Sequence, residues 1–343
     1  MDPIPPCRRR RTRTSAFTLH GSGNEHMGDP LVSIITPVLN RVDTMDACLA
    51  SVTRQTYPSI EHIVVDGGST DGTLELLREY RAPYPFHWVS EPDNGMYEAI
   101  NRGIAISRGD VLAYLNSDDL YLPWSVDVAV RAIKQPGSEL IYGDLGILRA
   151  GRKGESRRFN VQFKPDFDLR YYSFVDTIGQ PAVFWRRSLT ERIGLFDTRY
   201  RLIGDCEYWL RAAVNGAKPR HISEVLALQV EHGSTLRATQ ATKLQEEFDM
   251  LRRSMMTVVD PPTFPKWERV KTSVTWRVRQ LELFRAVKAR HPRQWQHFVQ
   301  QLHAHGVDVR LRDLRVLAPA RWRGDASLFG HARSLHDLLG VRA

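Results

Sequence analysis

From residue 31 onward, apolar runs alternate with segments whose apolar residues recur at helical spacing. Residues 31–40 (LVSIITPVLN) and 60–73 (IEHIVVDGGSTDGT) are near-continuous apolar runs that close on turn residues, and residues 45–55 (MDACLASVTRQ) have helical spacing. The alternation continues through TLELLREY, FHWVSEPDNG, MYEAINRGIAIS and DVLAYLNSDD. Buried strands that alternate with helices are typical of a mostly parallel sheet with helices on both faces. The pattern therefore predicts an α/β fold.

The pattern loosens after about residue 138. ELIYGDLGIL and GQPAVFWRR predict two more strands, GDCEYWLRAAVNG predicts a helix with an acidic first turn, and HISEVLALQVEHG predicts a last strand. From about residue 240 the chain is helical in pattern and basic, with an interruption at VVDPPTFP, because proline cannot continue a helix. We expect a disordered basic N-terminus over residues 1–29, an α/β domain over 30–240 and a helical extension over 241–343.

Four polar motifs follow predicted strands directly. TPVLN, DGGSTDG, EPDNG and NSDD each lie just beyond the carboxyl end of a strand. Open α/β sheets bind their ligands at that edge. We therefore expect the four motifs to meet in one site.

The strongest chemical signal is the pair Asp118 and Asp119, which ends the apolar run Val111–Leu115. A buried strand cannot hold two unpaired carboxylates, so the pair must lie where the strand emerges. Carboxylate oxygens in such a place suit Mg²⁺ or Mn²⁺, which leave coordination positions for the phosphates of a substrate. The alternative is structural: one aspartate caps the helix that begins near Pro123 and the other is solvated.

Two further acidic positions have both a chemical and a structural interpretation. Asp66 precedes a Gly67-Gly68 turn whose backbone amides could approach a nucleotide, or which simply connects a strand to a capped helix. Asp205 lies in the first turn of a helix, where it could act as a general base or only favour the helix dipole.

Composition narrows the function classes. The chain has 343 residues, three cysteines and a formal net charge of +9, and no stretch approaches the roughly 18 apolar residues of a transmembrane helix. Three scattered cysteines exclude a disulfide framework and fit a reducing cytoplasm. Residues 241–343 hold 19 Lys and Arg against 10 Asp and Glu, so the positive charge lies outside the α/β domain.

Taken in order, the motifs from VSIITPVLN to GDCEYWLR resemble the family 2 glycosyltransferases of the GT-A fold, over about residues 31–236. The resemblance implies a mixed, mostly parallel Rossmann-like sheet flanked by helices. It also implies an inverting enzyme of polysaccharide or glycolipid assembly, which moves a sugar from a nucleoside diphosphate donor to an acceptor hydroxyl with Mg²⁺ or Mn²⁺. A saccharide or lipid-linked saccharide is the implied acceptor.

The resemblance also assigns roles to individual residues. Asp118 matches the main metal ligand, and Asp205 matches the catalytic base. The positions that match the donor side are Thr36, Pro37, Asp66, Gly67, Asp93, Gly95, Asn116 and Ser117. The positions that match the acceptor side are Gln180, Pro181, Trp185, Glu207 and His232, and for His232 a packing or surface role is the alternative.

Three positions depart from the family pattern. Many relatives carry a second acidic residue where Gly67 stands, which contacts the base, and some carry a basic residue where Gly95 stands. Neither is present here, so the resemblance leaves the nucleobase open. Asn116 replaces the first aspartate of the metal motif, which removes a charge but keeps an oxygen acceptor.

The sequence leaves alternatives open for the role of the basic extension and for the activity. Residues 266–303 mix tryptophan and phenylalanine with basic residues, which suits either an anionic membrane face or a subdomain packed on the α/β domain. Nucleic acid is a weaker candidate partner, since no motif of that class is present.

The rival activities are a nucleotidyltransferase, which usually has a glycine-rich phosphate loop that TPVLNRVD lacks, and a sugar-nucleotide-binding scaffold. We expect a cytoplasmic protein, on the inner face of the membrane if the extension binds lipid.

Overall fold

The computed structural model describes residues 28–149, 158–162, 164, 166–167, 169–172, 177–231 and 240–255. The strands are β1 (Val32–Val38), β2 (Ile60–Asp66), β3 (Phe86–Ser90), β4 (Val111–Tyr114), β5 (Leu120–Tyr121), β6 (Leu140–Arg149), β7 (Arg158–Gln162), β8 (Val183–Arg186) and β9 (Arg220–Glu231). The helices are α1 (Val42–Thr53), α2 (Thr73–Glu79), α3 (Met96–Ile106), α4 (Ser125–Ile133), α5 (Leu169–Tyr172), α6 (Arg187–Ile193), α7 (Gly204–Val214) and α8 (Ala241–Met255).

The strands of the described residues form one mixed sheet in the order β3-β2-β1-β4-β8-β6-β9-β5, with β7 paired to β6. β3, β2, β1 and β4 are parallel to one another, β8 runs antiparallel between β4 and β6, and β6 and β9 are parallel. The prediction of a mixed, mostly parallel sheet flanked by helices is confirmed.

Both faces of the sheet are buried. Along β4, Leu112 and Tyr114 belong to one apolar cluster, whereas Val111 and Ala113 belong to another. Side chains of a strand alternate between its two faces, so the two clusters lie on opposite sides of the sheet. This explains why the sequences of the central strands are continuous apolar runs and do not alternate between apolar and polar residues.

The helix α3 lies close against the sheet because of a glycine. A Cβ at Gly103 would collide with the side chain of Ile35 on β1, so a larger residue there would push the helix away. The N-terminal end of α3 is thereby fixed over the carboxyl ends of the parallel strands. That end carries Tyr97, which is 2% exposed.

The last described helix packs onto the same core. Leu251 of α8 is buried in the cluster that contains Trp209 of α7, and Leu244 and Phe248 pack against it. The first part of the predicted extension therefore packs against the α/β domain. Residues 1–27 and 256–343 lie outside the described residues, and so do the expectations made for them.

Among the helices that the structure describes, none combines the length and the apolar character that a membrane crossing requires.

Candidate active site

The polar motifs meet at one edge of the sheet, as predicted. Val38 at the end of β1 pairs with Asp66 at the end of β2, and Asp66 pairs with Ser90 at the end of β3. The backbone N–H of Leu115, just past β4, donates to the carbonyl of Ile35 at 2.9 Å. The residues that follow each of these strands therefore begin side by side.

Asp66 organises this edge from the inside. Its carboxylate is fully buried and accepts hydrogen bonds from the backbone amides of Gly68 and Ser69, both at 2.9 Å, from the Ser69 hydroxyl, and from the Ser90 hydroxyl at 2.7 Å. Four donors compensate the burial of the charge. Asp66 thus shapes the turn that faces the site, in agreement with the structural interpretation of DGGSTDG.

The predicted donor residues of β1 are also buried. Thr36 is 0% exposed, and its hydroxyl lies 2.8 Å from Nε2 of His62. Burial lowers the pKa of His62 from 6.5 to about 3, so this imidazole is neutral at pH 7. Pro37 is buried as well. Neither position therefore offers an exposed side chain to a ligand.

The two adjacent aspartates have different environments. Asp119 is 4% exposed, and its carboxylate accepts a hydrogen bond from the backbone of Val230 at 3.0 Å and from the Asn116 amide at 3.2 Å. Asp118 is partly exposed. Asp119 therefore ties the end of β4 to β9, and Asp118 is the more exposed of the two carboxylates.

The segment at Asp118 offers oxygen donors that suit a divalent cation. Oδ1 of Asn116 and Oε1 of Gln180 are buried without a hydrogen-bond partner, and Nε2 of Gln180 donates to the carbonyl of Tyr114 at 2.6 Å. Within the described ranges, no group of three or more His, Cys, Asp or Glu side chains could hold a metal ion. The oxygen chemistry fits Mg²⁺ or Mn²⁺ with few protein ligands, the mode in which phosphates of a substrate supply the rest.

Asp205 lies in the first turn of α7 and is 6% exposed. Its Oδ1 accepts hydrogen bonds from the Tyr97 hydroxyl at 3.0 Å and from the Cys206 backbone at 2.9 Å. Burial and, second, the charge of Asp205 raise the pKa of Tyr97 well above 10, so its hydroxyl stays protonated. The carboxylate is thus held by a permanent donor from α3 and by the positive end of the α7 dipole.

An aromatic cluster joins the Asp205 side of the site to the Asp118 side. The ring of Phe196 stacks on Tyr97 at 5.7 Å between centroids and meets Tyr114, the last residue of β4, edge-on at 5.8 Å. Asn101 on α3 exchanges two hydrogen bonds with the backbone of Phe196, at 2.8 and 3.0 Å. Phe196 therefore contacts both Tyr97, which donates to Asp205, and Tyr114, the last residue of the strand that leads to Asp118.

Two glycines of the site have a charged side chain where their own side chain would be. A Cβ at Gly67 would lie 2.7 Å from Oδ2 of Asp93, and a Cβ at Gly95 would lie 2.7 Å from a guanidinium nitrogen of Arg201. A carboxylate thus lies beside Gly67, where many relatives carry an acidic residue, and a guanidinium lies beside Gly95, where some relatives carry a basic one. The sequence pattern did not indicate Arg201 or Tyr97, although both are close in sequence to polar motifs.

The residues predicted on the acceptor side are only partly available to a ligand. Trp185 is 0% exposed, and its indole nitrogen donates to Thr190 at 2.8 Å, so this side chain belongs to the core and cannot contact an acceptor. Glu207 forms an ion pair with Arg211 at 2.7 Å. Gln180 is half-buried and Pro181 buried. His232 lies outside the described residues.

Comparisons with known proteins agree with the fold and the motifs. Residues 33–193 match the model of "Glycosyl transferase family 2". A PGL/p-HBAD biosynthesis glycosyltransferase of Mycobacterium bovis is 30% identical in an alignment of 267 residues that covers 74% of this chain and all of the relative.

Two solved structures show the same fold. Staphylococcus aureus TarS 1–349 with UDP-GlcNAc superposes with a TM-score of 0.53 at 18% identity, over 68% of each chain. The mannosyltransferase PcManGT of Pyrobaculum calidifontis, with GDP-Man and Mn²⁺, gives 0.52 at 20% identity, over 68% of this chain and 66% of that one.

Proposed function

The chain belongs to glycosyl transferase family 2, and on that premise we propose that it is an inverting, metal-dependent glycosyltransferase. The donor is a nucleoside diphosphate sugar and the acceptor is a hydroxyl group of a saccharide or of a lipid-linked saccharide. The observation that carries the proposal is the pair of carboxylates Asp118 and Asp205. They come from the end of β4 and the start of α7, which Tyr97, Phe196 and Tyr114 connect.

Asp118 is the proposed ligand of the cation, with the amide oxygen of Asn116 as a second donor. A bound divalent cation would supply charge neutralisation at the departing diphosphate. A cation can bind Asp118 only if its carboxylate is accessible. Asp118 is partly exposed whereas Asp119 is buried, which supports Asp118 as the ligand and Asp119 as a structural residue. The unpartnered oxygens near β4 support it as well.

Asp205 is the proposed general base. It accepts the proton of the acceptor hydroxyl as that oxygen attacks the anomeric carbon from the side opposite the diphosphate. A carboxylate that acts in this way must be held at a fixed position, and the two hydrogen bonds to Oδ1 provide that.

The donor class has support from the two solved neighbours, which hold UDP-GlcNAc and GDP-Man. Asp93 and Arg201 are the proposed polar contacts to the nucleotide, because both lie over glycines at the strand edge. The acceptor class has support from the mycobacterial relative, which is named for PGL/p-HBAD biosynthesis.

The test incubates the full chain with UDP and GDP sugars, with water as the acceptor, and measures the nucleoside diphosphate that is released. The measurement is made once with Mn²⁺ and once with EDTA. We expect release in Mn²⁺ only, its loss in Asp205→Asn, and an inverted anomeric configuration of the first-formed sugar, read by NMR before mutarotation mixes the anomers. Asp43→Asn, an exposed aspartate on α1, is the matched control. Release in EDTA, or retained configuration, would contradict the mechanism. Donor binding without turnover in the native chain would favour a scaffold.

A membrane role of the basic extension is a separate proposal. Because α8 packs into the core, a truncation must begin after Met255 to leave the α/β domain intact. We expect the full chain, and not residues 1–255, to float with vesicles that contain anionic lipid. Equal flotation of the two chains would remove the membrane proposal and favour packing of the extension.

A further inference from the structure

A buried carboxylate of α8 holds the segment that leads into Asp205. Glu247 is 6% exposed, and its side chain accepts three backbone hydrogen bonds. Oε1 accepts from Arg201 at 2.9 Å, and Oε2 accepts from Leu202 at 2.9 Å and from Ile203 at 3.2 Å. These are three consecutive amides, so the whole segment is held by one side chain.

This contact replaces a local cap. Ile203 is the N-cap residue of α7, and its apolar side chain makes no capping hydrogen bond. Glu247 brings a negative charge to the same end of α7, where the helix dipole favours it. Burial of a carboxylate is costly unless donors compensate, and here three amides do so. The arrangement therefore fixes the start of α7 at a position that α8 sets.

Two groups of the site depend on this segment. Asp205 follows Ile203 by two residues, and its hydrogen bond to Tyr97 requires α7 to begin at the observed place. Arg201 places its guanidinium over Gly95, at the start of α3. A shift of the segment would move both the carboxylate and the guanidinium relative to α3.

We propose that Glu247 is a positioning residue for the reaction, which makes α8 part of the catalytic unit through its clamp on residues 201–203. The proposal rests on the proposed role of Asp205 as the base. Glu247 contacts no substrate in this scheme. It acts through the backbone that carries Asp205 and Arg201.

The first test measures structure and needs no substrate. Amide hydrogen exchange of residues 201–206 is compared in the native chain and in Glu247→Gln, which keeps the size of the side chain but replaces one acceptor oxygen with a donor. Glu246→Gln is the matched control, since Glu246 is an exposed neighbour on the same helix. We expect exchange to be at least about tenfold faster in Glu247→Gln only, because at least one of the amides loses its acceptor. Unchanged exchange would overturn the proposal.

The second test separates positioning from general loss of stability. Leu251→Ala removes an apolar contact of α8 and leaves the side chain of Glu247 itself unaltered. Donor affinity and kcat are measured for the variants with UDP and GDP sugars in Mn²⁺, well below their melting temperatures. We expect kcat to fall about tenfold to a hundredfold in Glu247→Gln with full stoichiometry of donor binding, and much less in Leu251→Ala.

The outcomes distinguish this proposal from the proposed function. If Asp205→Asn abolishes turnover while Glu247→Gln and Glu246→Gln have equal kcat, the positioning role alone fails. An equal loss of kcat in Glu247→Gln and Leu251→Ala also overturns it, because the effect is then one of stability. If Asp205→Asn keeps native turnover, the proposed function fails, and the positioning role fails with it.

Discussion

The Tyr97 hydroxyl donates a 3.0 Å hydrogen bond to Oδ1 of Asp205, although the two residues are 108 positions apart. Tyr97 is the second residue of α3, Asp205 is the second residue of α7, and both are buried. A Cβ at Gly204 would lie 2.8 Å from the Tyr97 ring, so a glycine before Asp205 is what allows this approach.

Tyr97→Phe should lower turnover by about tenfold to a hundredfold, because a hydrogen bond to a charged group contributes about 1.5–3 kcal/mol. Donor affinity should hardly change. The measurement is kcat together with donor binding, and Tyr84→Phe, just before β3, is the control. In the Asp205→Asn background the substitution should have no further effect. An equal loss there would show that Tyr97 does not act through Asp205.

Asp118→Asn and Asp119→Asn should have different effects, the first on donor binding and the second on stability. Asp118→Asn should abolish Mn²⁺-dependent donor binding and lower the melting temperature less than Asp119→Asn does, since Asp118 is the more exposed of the two. Asp119→Asn should lower the free energy of unfolding by about 1–3 kcal/mol, because it weakens the contact with the Val230 backbone. Calorimetric titration with donor and thermal unfolding distinguish the two. Equal donor affinity in Asp118→Asn and the native chain would remove the metal assignment.

Gly67→Ala should weaken donor binding by displacing Asp93, since the new methyl group would lie 2.7 Å from its Oδ2. We expect a loss of about tenfold, similar to that of Asp93→Asn, as for one hydrogen bond to a charged group. Gly28→Ala is the control, because nothing lies within 4 Å of a Cβ there. The double variant should bind donor no worse than Asp93→Asn alone, and additive losses would disprove the coupling.

His62 should make the protein less stable in acid. Its pKa is about 3 in the folded chain and 6.5 when unfolded, so below pH 6.5 the unfolded state binds more protons. Stability should therefore fall with falling pH, by about 2 kcal/mol between pH 6.5 and pH 5. His62→Gln keeps a partner for Thr36 but cannot titrate, so its urea unfolding should depend less on pH. The same dependence in both proteins would contradict this source of acid sensitivity.

The sequence predicted the elements around the site well, because their signals are local. The apolar runs of β1, β2 and β4 and the spacing of α3 and α7 correspond to the observed elements. Polar residues that follow parallel strands must share an edge, so the meeting of TPVLN, DGGSTDG, EPDNG and NSDD could be predicted as well.

The roles of individual side chains at that edge were less predictable. Trp185 lies in a segment expected on the acceptor side, yet the pairing of β8 with β4 and β6 directs it into the core. Asp66 is in a motif that suggests ligand contact, yet its oxygens are taken by the turn that it organises. Both outcomes depend on neighbours that periodicity does not specify.

The sequence by itself determined the order of the strands and helices and the edge at which the acidic motifs gather, because periodicity and strand direction are local properties. Only the tertiary structure decided which carboxylates are reachable. Asp119 is buried by a contact 111 residues away, and the segment before Asp205 is held by Glu247, 44 to 46 residues away. The exposure of each carboxylate and its hydrogen-bond partners depend on residues from distant parts of the chain, which local periodicity does not specify.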